Sequence, residues 1–235
     1  MKKFLAILLL VFPGFAFGAG GPVHLDSAPV NLHDKLSLQR GAQIFVNNCL
    51  NCHSAQYMRY ARLTDLGLSE AQITANLLFT SNKVGDPMTT TLAASDGKEW
   101  FGVNPPDLSL VARSRGSDWL YTYMRSFYRD PAAKSGWNNT VFPNVGMPHI
   151  FWEYQGDQAL KASDQGAGRL VLERPGKLSP AEYDRYVGDL VNFLTYVGEP
   201  ARTKRVQVGI VVMFFLAAFF VITLLLKNEY WKDVR

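Results

Sequence analysis

Cys49-Leu50-Asn51-Cys52-His53 holds both cysteines of a 235-residue chain and one of its four histidines. Two thiols three residues apart, followed at once by an imidazole, can form a disulfide or redox dithiol, part of a zinc site, or a haem attachment site. Zinc would need two further ligands grouped elsewhere, and no His-x3-His or similar pair exists. A thioredoxin-type dithiol would need a βαβ setting, which the flanking residues do not show. The order Cys-x-x-Cys-His is the attachment signature of c-type haem. On a helical turn, positions i and i+3 project to one side. Cys49 and Cys52 can therefore add across the two vinyl groups of one porphyrin edge, while the His53 imidazole reaches the iron. The expected cofactor is one covalent haem c.

Working outward, LSLQRGAQIFVNNC (36–49) reads as a helix with Leu38, Ala42 and Phe45 on one face. Gly41 offers a place for close approach by another helix. Near the far end, LSPAEYDRYVGDLVNFLTYVGEP (178–200) carries a Ser179/Glu182 capping box, Pro180 in the first turn, and a Gly198 and Pro200 stop. Tyr183, Val187, Leu190, Leu194 and Val197 form its apolar stripe. The two helices are expected to cross beside the haem with Gly41 at the contact.

The iron needs a ligand opposite His53. Met213 lies in an apolar terminal run, Met58 is tethered too closely to His53, and Met124 falls in SDWLYTYMRSF, an apparent packed helix capped by Ser117. Met147, in FPNVGMPH, lies in an extended loop between Gly146 and Pro148 and is the favoured ligand. Met88 in GDPMTTT, a histidine such as His149, or an open position stand as alternatives. Thioether ligation raises the reduction potential relative to bis-histidine haem.

FGVNPPDLSLVARSRGSDWL (101–120) is read as pocket wall. Pro105 and Pro106 are expected to enter a short helix with Asp107 in its first turn. A proline carbonyl there could accept the proximal imidazole N–H. Arg113 and Arg115 are candidates for a haem propionate, since a buried carboxylate requires a cation or donors. Trp119, Tyr121 and Tyr123 read as core residues.

The two ends place the body. MKKFLAILLLVFPGFAFG (1–18) has the basic start, apolar run and small residues of a secretory signal cut after about Gly18. An uncleaved anchor is the alternative. Residues 206–226 are 21 residues without a charge, about 31 Å as a helix, which matches a bilayer core. Its basic flanks balance, so orientation follows from the export signal: a periplasmic domain over 19–201 and a cytoplasmic tail over 227–235. Of 24 basic residues, two lie in the leader and six after Ala201; of 20 acidic residues, Glu229 and Asp233 lie after Ala201. The exported body is thus net −2, which argues against nucleic acid and suits a basic protein partner.

VNNCLNCHSAQYMRYARL, NPPDLSLVARSRG, NVGMPH and the single C-terminal span together resemble the cytochrome c1 family, the haem-c subunits of quinol–cytochrome c oxidoreductase. The likeness runs from about Leu38 to Lys232. It implies that Cys49 and Cys52 hold the haem, that His53 and Met147 are the iron ligands, that Pro106 packs on the proximal side and that Arg115 meets a propionate. It further implies an electron-transfer subunit rather than an enzyme on its own, taking electrons from a Rieske iron–sulfur protein. The electrons pass on to a soluble or tethered cytochrome c, with cytochrome b and membrane lipid around the bacterial inner-membrane helix. No second cysteine pair exists for the disulfide of some relatives. A membrane-anchored cytochrome c feeding a terminal oxidase is the nearest rival. A haem peroxidase or a gas sensor is more remote. The expected fold is mainly α, a cytochrome c-like single-haem domain with a small β-hairpin insertion after Met147 and one transmembrane helix.

Overall fold

The computed structural model describes residues 24–162 and 168–233. The expected leader, and all but the last residue of the Gly-rich DQGAG stretch, lie outside the described residues.

The frame is two crossing helices. Helix α1 (Lys35–Ile44) starts on Asp34, whose carboxylate accepts from the Ser37 amide. Its last turn widens into a π-helical turn, Phe45–Cys49, with the Leu50 amide donating to the Phe45 carbonyl at 3.0 Å. The sequence reading had one regular helix here. The extra residue in the turn falls where the chain delivers Cys49, and such bulges recur at functional sites. The closing helix α7 (Pro180–Gly198) has the expected cap: the Ser179 hydroxyl accepts from the Glu182 amide and the Glu182 carboxylate accepts from the Ser179 amide. Tyr183, Val187, Leu190 and Leu194 are all buried.

Gly41 lies at the crossing of these helices. A Cβ at Gly41 would sit 2.1 Å from the Asp189 carbonyl oxygen and 2.6 Å from Phe193 Cβ. Only hydrogen fits there. Arg40 grips the Asp189 carboxylate through Nε (2.5 Å) and a terminal nitrogen (2.9 Å), and Phe45 packs on Phe193 with ring centroids 5.7 Å apart.

Between these helices the chain forms β1 (Ala55–Arg59), a 3-10 turn (Tyr60–Leu66), α2 (Glu70–Asn76), β2 (Pro87–Met88) and α3 (Ala94–Phe101). It continues through α4 (Val111–Ser114), α5 (Ser117–Arg125), β3 (Phe127–Arg129), β4 (Trp137–Asn139) and α6 (Trp152–Gln155). A hairpin of β5 (Gly156–Lys161) and β6 (Arg169–Pro175) then leads into α7. That hairpin is the expected insertion. Two further antiparallel pairs, β1–β2 and β3–β4, were not foreseen. They are too short to show a period of two, and tertiary contacts impose them.

Two local readings are corrected. Residues 103–108 form no helix, so Pro105 and Pro106 do not open one; the next helix is α4. Asp107 instead accepts from the amides of Gln56 (2.9 Å) and Ser109 (2.8 Å). Ser117 does not cap α5: Gly116, with φ 91°, precedes the helix and Ser117 is its first residue, without a side-chain cap.

After a short turn at Glu199–Ala201, helix α8 (Arg202–Tyr230) runs 29 residues with none of them buried. At 1.5 Å per residue that is about 44 Å, long and apolar enough to cross a membrane. Its stretch 206–226 carries no charge, and an apolar helix with no face packed on protein belongs in lipid.

Candidate functional site

The Cys-x-x-Cys-His segment folds as a tight turn beyond α1, with the amides of Cys52 and His53 both donating to the Cys49 carbonyl, at 3.0 and 2.8 Å. Cys49 is buried and Cys52 half-buried, with no disulfide between them. Burial, and then the neighbouring Cys52, push the Cys49 thiol up to about 12; burial raises Cys52 as well. Both sulfurs face an apolar cleft.

That cleft has two adjoining lobes. The larger, about 970 Å³ and open to solvent, is walled by Cys49, Leu120, Tyr123, Met124, Leu190 and Leu194. The smaller, about 490 Å³, takes Cys52, Phe101, Pro105 and Ile150. His53, Val103, Pro106 and Met147 line both. The imidazole and the thioether therefore belong to one crevice.

His53 is fixed from behind. Its Nδ1 lies 2.8 Å from the Pro106 carbonyl oxygen; a carbonyl only accepts, so Nδ1 carries the proton and Nε2 keeps its lone pair. Burial holds the imidazole pKa below its usual value, partly opposed by the Pro106 bond and the Asp107 charge. A neutral imidazole with a free Nε2 is the form that binds a metal.

The loop carrying Met147 is shaped by two asparagines of β4. Asn138 Oδ1 accepts from the Asn144 amide (2.8 Å), and Asn139 Oδ1 from the amides of Val141 (2.8 Å) and Phe142 (3.2 Å). Gly146 passes so close to α3 that a Cβ would meet the Phe101 carbonyl at 2.9 Å. The Tyr123 hydroxyl donates to Met147 Sδ at 3.4 Å.

The other candidates separate. Met88 is fully buried in β2 opposite Ala55, and Met58 is buried in β1. Met124 does wall the larger lobe, from within α5. His24 and His33 are exposed. His149 is 1% exposed, stacked on Phe127 at 4.9 Å and edge-on to Trp137 at 4.9 Å, and burial draws its pKa down to about 4. Neither ring nitrogen makes a well-formed hydrogen bond among the described residues, although Gln155, whose Oε1 is likewise unpaired, lies near enough to oppose the shift in part. It is a core residue enclosed by aromatic rings. Arg115 reaches the mouth of the larger lobe, its guanidinium 5.2 Å from the Trp119 ring and 5.9 Å from that of Phe142. Arg113 lies instead against Gly198 of α7.

Two thiols on one turn, an imidazole committed at one nitrogen, a thioether and an apolar wall fit a covalently held haem. Sequence reasoning missed the part of Tyr123 and of the Asn138-Asn139 pair. The asparagines carried a turn signal; a tyrosine contact 24 residues along the chain carried none.

This combination of crevice, thiol pair and, among the described residues, one membrane-length helix defines an anchored c-type cytochrome. Residues 26–234 match the Cytochrome C1 family, and the chain belongs to it. It is 48% identical to a protein of Nitrosomonas europaea named ammonia monooxygenase gamma subunit, over all of this chain and 99% of that one. It is also 48% identical to cytochrome c1 of Allochromatium vinosum, with the same coverage, and 26% identical to that of Rhodospirillum rubrum over 96% of this chain and 97% of that one. The chain is a haem electron-transfer subunit of the bc1 complex, anchored in a membrane, with one covalently bound haem c, and it is not an enzyme by itself.

Proposed function

We propose that Cys49 and Cys52 would hold the haem through thioethers, that His53 and Met147 would ligate its iron, and that Arg115 would neutralise a propionate at the crevice mouth. The observation that carries this reading is that His53, held through Nδ1 by Pro106, and Met147 line one apolar crevice whose two lobes take one cysteine each. Bound there, the haem iron supplies one-electron chemistry between ferric and ferrous states.

The residues do the rest by holding still. Pro106 fixes the imidazole tautomer, and the loop built on Asn138 and Asn139 holds the thioether. Leu120, Leu190 and Leu194 keep water from the wall, which lowers the solvent rearrangement that accompanies a change of charge. Electrons arrive from a Rieske iron–sulfur protein and leave to a soluble or tethered cytochrome c, with cytochrome b and lipid around α8. The domain over 19–201 lies in the periplasm after removal of residues 1–18, and residues 227–235 lie in the cytoplasm. The acidic balance of the body favours a basic acceptor.

Two experiments test this. Met147→Ala should abolish the weak red charge-transfer band of methionine-ligated ferric haem; a band left intact refutes the ligand assignment. Purification in mild detergent should bring down a two-haem b-type subunit and a Rieske protein. Recovery with a terminal oxidase, or with an ammonia-oxidising assembly of the kind the Nitrosomonas relative is named for, would refute the partner assignment.

A further inference from the structure

Among the residues that line the larger lobe, Tyr123 is set apart by a hydroxyl that meets the Met147 sulfur. Its hydroxyl donates to Met147 Sδ at 3.4 Å. The ring is held on two sides. It stacks on Trp119 with centroids 4.8 Å apart and planes 10° from parallel, and meets Phe127 edge-on at 5.1 Å. The Tyr123 backbone carbonyl accepts from Asn139 Nδ2 at 2.8 Å. Asn139 is the same buried side chain that folds the Met147 loop. One asparagine thus ties the backbone of the donor residue to the start of the loop that carries the acceptor.

A thioether sulfur has two lone pairs. When one is given to a metal, a hydrogen bond to the other draws density from the sulfur and makes it a poorer donor. A poorer donor stabilises ferric iron less than ferrous iron. Hydrogen bonding around a ligand is one of the protein's levers on haem potential.

We propose that Tyr123 is a positioning residue that sets the redox potential: its hydroxyl, aimed by Trp119 and Asn139, hydrogen-bonds to Met147 Sδ and biases the site toward the ferrous state. This rests on the reading of Met147 as the iron ligand.

The test is Tyr123→Phe in the full-length protein within its detergent-solubilised complex, read by potentiometric titration and by the red charge-transfer band. Phe keeps the ring and its stacking and removes one oxygen. The band is expected to persist while the ferric–ferrous equilibrium moves two- to tenfold toward ferric, a fall of up to about 59 mV for one electron. Trp119→Leu keeps the hydroxyl but frees the ring and is expected to give a smaller fall of the same sign. An intact band with an unmoved potential in Tyr123→Phe overturns the proposal and leaves Met147 as ligand. Loss of the band in Tyr123→Phe overturns it as well, since the tyrosine would then hold the loop by packing. Absence of the band from the unsubstituted protein overturns the ligand reading itself.

Discussion

The Pro106 carbonyl oxygen meets His53 Nδ1 at 2.8 Å across 53 residues of chain, and the contact does not stand alone. The Leu108 amide donates to the Ser54 carbonyl at 2.7 Å, the Tyr57 amide to Ser109 Oγ at 3.1 Å, and Asp107 takes the amides of Gln56 and Ser109. The segment after the cysteines and the Pro-Pro segment are stitched together so that the imidazole has one orientation.

Asp107→Ala should loosen that stitch. Losing two charge-assisted hydrogen bonds at a partly exposed position costs about 1–3 kcal/mol, read as a lower denaturant midpoint. With the His53 bond to Pro106 weakened, the imidazole donates less to iron and the potential should rise. That sign is opposite to the one expected for Tyr123→Phe, so a single titration method separates the two sides of the site.

Gly41→Ala should be costly despite its small size. The new methyl would overlap the Asp189 carbonyl and Phe193 Cβ, and forcing the helices apart is expected to cost about 1–3 kcal/mol. Denaturant unfolding checks this. Arg40→Ala, which removes only the surface ion pair to Asp189, should cost about 1 kcal/mol or less.

His149→Phe should be tolerated. The imidazole is buried between Phe127 and Trp137 without a well-formed hydrogen bond among the described residues, Gln155 being its one polar neighbour of note. An unsatisfied buried polar group costs about 1–3 kcal/mol, so a ring of similar shape is expected to leave the unfolding midpoint unchanged or raise it. The visible spectrum should not change.

Acid should weaken the cap of α7. Hydrogen bonds from the Ser179 hydroxyl and amide hold the Glu182 carboxyl below its usual range. A depressed folded pKa gives stability that is present above the unfolded value and lost as pH falls through the folded one. Ser179→Ala should flatten that part of the stability profile, seen by unfolding at stepwise lower pH.

How much of this was legible in the sequence follows from how local each signal is. The capping box of Ser179 and Glu182, the apolar stripe above it and the charge-free terminal run depend on residues within a few turns, and the structure has them. Gly41 was legible because the crossing partner was itself a clear helix. The Pro105-Pro106 segment was misread because Pro at a helix start is a common local pattern, whereas here Asp107 is recruited by Gln56 from 51 residues away. The short ladders at Met88 and at Trp137–Asn139, and the tyrosine at the Met147 sulfur, likewise depend on distant partners. His149 gave no sign that aromatic rings would enclose it.

Removing the chain after Ala201 should release a soluble domain with its visible haem spectrum unchanged, because no residue of α8 is buried against the body. A spectrum that changes, or a product that precipitates, would show that the helix supports the crevice.

The turn between α7 and α8 sets a limit on where that domain can go. Its three residues would span only about 11 Å if fully extended, and they are not extended: the Glu199 amide returns to Tyr196, the Arg202 amide returns to Glu199, and the Arg205 guanidinium closes on the Glu199 carboxylate. A leash this short makes the domain a moored station rather than a ferry. It keeps the crevice at a nearly constant distance from the start of α8, whatever docks on it.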